Sequence, residues 1–179
     1  IKIKKIDLDK KIILNDDFDI IVHCASAIPD YNLTKKKLRK TNVVGFRKIL
    51  NSINKKKKIK IILLSSLSVY GKINSKKVTE KTSINNSDFY GKTKFLMEKD
   101  LIKFSKKNKF KYSILRLPGV IGINSKHNFL SKLIYSIKDN INDFILFNPE
   151  LQFNNLLHVK TLSKVVKKCI IDPKISGIF

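Results

Sequence analysis

Short apolar runs alternate with longer amphipathic ones along this chain, and that alternation limits its folds more than any other feature. It predicts βαβ units on a parallel sheet. Phe18 to Ala25 reads as a buried strand. Leu33 to Asn54 reads as a helix, with Leu38, Val43, Phe46, Ile49, Leu50 and Ile53 near 3.6-residue spacing. Ile59 to Ser65 follows as a second buried strand, five of its residues being Ile or Leu. A polar loop from Gly71 to Ser87 leads to a helix over Asp88 to Asn108, whose buried face is assigned to Phe95, Leu96, Leu101, Ile102 and Phe104. Tyr112 to Leu117 is a strand closed by Pro118-Gly119. Beyond it the pattern weakens to a helix near Phe129 to Lys138, a short strand near Asp143 to Phe147 and a helix from about Thr161 to Ile171. Ser176 to Phe179 reads as the start of a strand, and Ile1 to Leu8 as an interior strand. No internal repeat is seen.

The chain has 179 residues, enough for one domain or a large part of one. No stretch approaches the ~18 apolar residues of a membrane span, and Ile1-Lys2-Ile3-Lys4-Lys5 is too charged for a signal peptide. A soluble cytoplasmic protein is expected. Cys24 and Cys169 fall in apolar segments and read as buried reduced thiols. With His127 they form no metal-spaced cluster. The net charge is +24, which brings nucleic acid and anionic surfaces into question. Of 38 basic residues, however, only Arg39, Arg47 and Arg116 are arginines, and specific phosphate or base recognition favours arginine. The lysines are scattered except for Lys55 to Lys58, placed where a helix ends and cations suit its dipole. A solvated surface with no specific nucleic-acid or membrane partner is the reading, with a basic polyanion-binding module as the alternative.

Tyr90 and Lys94 stand four residues apart, one turn along the same helix face. An ammonium beside a phenol favours the phenolate and is expected to lower the tyrosine pKa towards the range of a useful base. A serine at the end of the preceding strand, in Ser65-Ser66, can hold the hydroxyl whose proton the tyrosine takes. The plainer alternative is an ordinary exposed pair at a helix N-terminus. Ser87 or Asp88 is the expected N-cap.

Ser66, Tyr90 and Lys94 resemble the Ser/Thr, Tyr-x-x-x-Lys triad of the short-chain dehydrogenase/reductases. Four further segments resemble the extended branch of that superfamily, the NAD-dependent epimerases and dehydratases. They are the strand Asp19 to Ser26, similar to one ending in His-x-Ala-Ala; Thr41-Asn42-Val43-Val44-Gly45; Leu64 to Gly71, similar to Ser-Ser-x-x-Val-Tyr-Gly; and Leu115 to Gly122, similar to Arg-x-x-Asn-Val-Tyr-Gly. The resemblance implies a Rossmann-like parallel sheet with helices on both faces, incomplete at the N-terminus, and the start of a smaller C-terminal substrate-binding part. Residues 1–122 would form the partial NAD(P)-binding domain, and 123–179 the partial substrate region with returning Rossmann elements.

The implied roles follow residue by residue. Tyr90 is the catalytic acid and base, Lys94 binds the nicotinamide ribose, and Ser66 positions the reacting sugar hydroxyl. Ala25, Ser26, Ser65 and Pro118 join Tyr90 and Lys94 as cofactor-binding residues for NAD or NADP. Ser68, Gly119 and Asn154 join Ser66 at a nucleotide-sugar substrate. His23 is a structural strand residue. Asn42 either ties its helix to the neighbouring strand or is a plain surface residue, and Tyr70 is packing or chemistry. Asn154-Asn155 and the strand Leu156 to Val159 resemble a segment near the sugar nucleotide, with Lys160-Thr161 where an acid usually follows.

Two departures shape the reading. Gly119 stands where many relatives have an asparagine, so the sugar is left open. Leu67 and Ser68 stand where dehydratases place an acidic pair, and loss of water needs such an acid, so an epimerase or ketosugar reductase is favoured. A dinucleotide site also needs a glycine-rich turn before a helix. Here the first glycine is Gly45. A partial sequence, inactive by itself and a homodimer when complete, is expected; a non-catalytic NAD(P)-binding protein is the alternative.

Overall fold

The computed structural model describes residues 6–14, 18–29, 32–73, 77–125, 129–139 and 156–179. Its main sheet has four strands in the order β1-β2-β3-β6: Ile20–His23, Lys60–Ser66, Lys111–Leu117 and Gly177–Ile178. β1 and β2 run parallel with Ile20 opposite Lys60, and β3 and β6 run parallel with Ser113 opposite Gly177. Parallel neighbours require crossover connections. The chain supplies α1 (Lys35–Arg39), a π-helical stretch (Lys40–Val44) and α2 (Gly45–Ser52) between β1 and β2, then α3 (Phe89–Asn108) between β2 and β3. This is the expected Rossmann-like parallel arrangement.

Two units divide the chain, one made of Ile1–Arg116 with Cys169–Phe179, the other of Leu117–Lys168. The second holds β4 (Gly119–Ile121), paired in parallel with β5 (Leu156–His158), and α4 (Phe129–Lys138). The last helix, α5, spans Val159–Ile171.

The core of the first unit joins Phe46, Leu50, Ile53, Ile61, Leu63, Met97, Leu101, Phe110 and Ile114. All six apolar positions read from the first helical periodicity are buried. The helix is nevertheless not continuous: Thr34 caps α1 by accepting from the Lys37 N–H, and the π-helical stretch interrupts the α ladder. α2 ends at Ser52, so Lys55 to Lys58 lie beyond it, and no basic residue stands in its last turn. β1 stops at His23 rather than Ala25, which leaves Cys24 past the strand and exposed, contrary to the buried thiol expected; Cys169 is buried. Ile6 and Asp7 form no strand and Leu8 lies in a turn, packed with Ile12 and Ile49, whereas Ile1 to Lys5 lie outside the described residues. So do His127 and the segment Asp143 to Phe147. Val159 opens α5 instead of closing a strand. Among the described residues no helix is long and apolar enough to cross a membrane.

Candidate active site

The carboxyl ends of β1 and β2 carry the polar groups that the sequence singled out. Ser66 leaves β2 in extended geometry and caps the 3-10 turn Leu67–Tyr70; its Oγ accepts from the Ser68 N–H and donates to Ser68 Oγ, both at 3.1 Å. Ser65 points the other way, as strand neighbours must, and its hydroxyl donates to Glu98 Oε1 at 2.5 Å. Lys94 of α3 is buried, and Nζ donates to the Leu64 carbonyl at 2.7 Å. Three successive residues of β2 therefore meet this region.

Helix α3 begins where Asp88 Oδ1 accepts from the Gly91 N–H at 2.6 Å, so Asp88 is the N-cap. Ser87 instead donates to the Val69 carbonyl at 2.6 Å. A Cβ on Gly91 would lie 2.0 Å from the Ser68 carbonyl oxygen. Only glycine allows the first turn of α3 to approach the 3-10 turn this closely. Gly91 was missed in the sequence, although a glycine at a helix start is a poor helix former that asks for a packing reason.

Asn42 is fully buried, which removes the surface reading. Its Oδ1 accepts from the Ala27 N–H at 2.7 Å, and its Nδ2 donates to the Ala27 carbonyl at 3.0 Å and to Thr93 Oγ1 at 3.3 Å. Thr93 in turn donates to the Tyr90 carbonyl at 2.7 Å. One amide thus ties the Ala25-Ser26-Ala27 segment to the turn of α3 that bears Tyr90. The π-helical stretch that carries Asn42 is of the kind often found at functional sites.

The Tyr90 phenol lies close enough to Ser26 to be influenced by it, while the Ser26 hydroxyl donates to the Ala27 carbonyl at 3.3 Å. Its pKa is raised by burial, with Asp88 adding in the same direction and Ser26 opposing. This corrects the expected lowering: burial is the largest influence on the phenol, and the Lys94 ammonium donates to the Leu64 carbonyl. Burial lowers the Lys94 pKa to about 8, with Glu98 and Cys24 holding it up. His23 is buried beside the Phe46 ring, with Nε2 unpartnered and its pKa lowered to about 4, first by burial and then by Lys94. Burial raises the Cys24 thiol although it reaches the surface. Tyr70 is a packing residue: its hydroxyl donates to the Thr79 carbonyl at 2.9 Å, and the Arg116 guanidinium lies 4.7 Å from its ring centre.

Ser26, Ser65, Ser66, Ser68, Tyr90 and Lys94 are gathered in the first unit. Pro118 and Gly119 belong to the second, where Gly119 pairs with Leu156. Asn154 lies outside the described residues. No group of three or more His, Cys, Asp or Glu among the described residues could hold a metal ion.

The donor set suits a ribose and an alcohol. Lys94 uses one N–H on Leu64 among the described partners, which leaves ammonium hydrogens for ribose hydroxyls, and Tyr90, Ser26 and Ser66 present hydroxyls.

Comparison with known proteins agrees with the resemblance drawn from the motifs. The model of the NAD dependent epimerase/dehydratase family matches residues 2–172. A UDP-glucose 4-epimerase from Lactobacillus helveticus is 31% identical over 120 residues, covering 66% of this chain and 36% of that protein. The crystal structure of a UDP-glucuronic acid 4-epimerase from Bacillus cereus, in complex with UDP-glucuronic acid and NAD, superposes with a TM-score of 0.82 at 23% identity, over 97% of this chain and 55% of the other. RMD from Pseudomonas aeruginosa, complexed with NADPH, gives a TM-score of 0.78 at 14% identity, over 92% and 62%. Identities this low speak to the fold. The chain spans about a third of the curated relative and rather more than half of these solved structures.

Proposed function

The chain belongs to the NAD dependent epimerase/dehydratase family, and from that premise we propose that it carries the catalytic half of a nucleotide-sugar 4-epimerase dependent on NAD or NADP. The observation that carries this reading is the convergence of Ser26, Ser66, Tyr90 and Lys94 on the carboxyl ends of β1 and β2, the edge where open α/β sheets bind ligands.

Ser66 Oγ holds the sugar hydroxyl and the Tyr90 oxygen exchanges its proton. A bound nicotinamide, held by Lys94 and Tyr90, would supply the hydride acceptor and donor for the carbon that bears this hydroxyl. Burial keeps the resting phenol protonated, the form that returns a proton to a ketone. For the opposite transfer, positive charge must favour the phenolate, and Lys94 carries that charge on the same helix face until pH rises through about 8. Lys94 also donates to the ribose. Ala25 and Pro118 are assigned to the cofactor, and Ser68, Gly119 and Asn154 to the sugar nucleotide; Ser65, expected at the cofactor, instead has its buried hydroxyl taken by Glu98. Residues 1–122 are read as the cofactor side, and 123–179 as a partial substrate region with returning Rossmann elements, of a cytoplasmic homodimer.

Tyr90→Phe tests the proposal in the complete protein, with UDP-glucose as probe and NAD supplied. Loss of a positioned acid–base group should lower kcat on the order of 10²- to 10⁴-fold while thermal stability changes little. Turnover that survives the change would remove Tyr90 from the acid–base role, whereas absent turnover in both proteins with unchanged cellular function would favour the non-catalytic NAD(P)-binding reading.

A further inference from the structure

Behind the hydroxyls lies a buried polar cluster that the transfer chemistry leaves unused. Glu98 and Arg116 have side chains only 1% and 5% exposed. Arg116 Nη2 donates to Glu98 Oε2 at 2.7 Å, and Nε reaches both carboxylate oxygens at 3.1 and 3.2 Å. Ser65 completes the carboxylate's shell.

A buried ion pair is a poor device for stability, since an apolar pair of similar volume often serves as well or better. Its presence here calls for something an apolar pair cannot do. Two features supply it. Glu98 holds the hydroxyl of Ser65, the residue next to Ser66, against the helix that bears Tyr90. It also stands one turn beyond Lys94 on the same face.

We propose that Glu98 and Arg116 are a positioning pair: through Ser65 they lock the end of β2 against α3, and they set a fixed negative charge behind Lys94. The proposal rests on the hydride-transfer reading and assigns the site a rigid, charge-balanced backing. The titratable groups that bear on Lys94 are His23 and Cys24 at the end of β1 and Glu98 on its own helix, with Arg116 of β3 beyond Glu98. Of these, Glu98 is the largest influence favouring the ammonium.

The test compares Glu98→Leu/Arg116→Met, which removes both charges together, with Ser65→Ala, which removes only the tie. Both are made in the complete protein, with UDP-glucose and NAD as probes. In the double variant the Lys94 amine, followed by its acylation against pH with peptide mass spectrometry, should titrate about one pH unit lower. Its kcat should fall on the order of 10- to 100-fold, as misplaced groups cause, with KM within about threefold. Ser65→Ala should lower kcat and leave the amine titration in place. A folded double variant with unchanged kcat and unchanged amine titration overturns the proposal. If the double variant does not fold, Ser65→Ala decides, and unchanged kcat there overturns it. Turnover that survives Tyr90→Phe would instead strike the hydride-transfer reading, and the amine titration remains a separate measure of the charge behind Lys94.

Discussion

At the amino end of β2 the Lys60 ammonium is buried and donates to the carbonyls of Cys169 and Asp172, the latter at 3.0 Å. At the carboxyl end the more deeply buried Lys94 donates to the Leu64 carbonyl and stands near Glu98 and Cys24. Burial lowers the pKa of both lysines. The partners differ. Lys60 satisfies carbonyls at the end of α5 that lack intrahelical partners, where a cation also suits the dipole. Lys94 keeps donor capacity in hand at the sheet edge where the proton-transfer groups are proposed to act. The same buried ammonium closes the fold at one end of a strand and, on the proposed function, serves a ligand at the other.

Exchanging each lysine for methionine should separate the two ends. Lys94→Met in the complete protein is expected to weaken turnover by at least about 100-fold, with NAD affinity falling in a direct titration. Near neutral pH its stability should change little, because relief of the deeper-buried charge offsets the single donor lost from the Leu64 carbonyl. The linkage has a definite sign. The Lys94 pKa is about 8 in the fold and near 10.5 in the unfolded chain, which therefore binds more protons between those values. Stability should rise with pH across that window in the wild type, and Lys94→Met should lack that contribution.

His23 brings a cost to the same carboxyl end. Its pKa is about 4 when folded against 6.5 unfolded, so its contribution is present above pH 6.5 and is lost as pH falls towards 4. The loss should approach about 3 kcal/mol, read from denaturant titrations at pH 7 and pH 4, and His23→Phe should lose correspondingly less. Lys60→Met is the smallest effect. Two carbonyls lose a donor, which should cost about 1 to 3 kcal/mol in the same titrations and leave kcat unchanged. A fall in kcat with no loss of stability would erase the contrast between the ends.

The strands of the parallel sheet were legible because Ile and Leu mark β2 and β3, and the spacing from Leu38 to Ile53 marks the first helical region. Less could be read where the buried positions are polar. The inward stripe of α3 contains Gly91, Lys94, Met97, Glu98, Leu101 and Ser105. Apolar spacing pointed instead to Phe95 and Leu96, which are only half-buried. Glu98 looks like any surface acid until Arg116 and Ser65 are folded around it. The π-helical turn at Asn42 depends on packing, so helix periodicity cannot announce it. Likewise, the spacing of Tyr90 and Lys94 placed both on one face but could not foresee that the Leu64 carbonyl would take the Lys94 hydrogen bond.

The central claim is that hydride, not a carbon-bound proton, moves at the carboxyl end of β2. The most direct measurement runs the complete protein with UDP-glucose and NAD in D₂O and determines deuterium at the inverted carbon of the product by mass spectrometry. Hydride transfer and return keeps the original hydrogen on carbon, so no solvent deuterium is expected there. Deuterium at that carbon would mean removal and return of a proton, and would contradict the account.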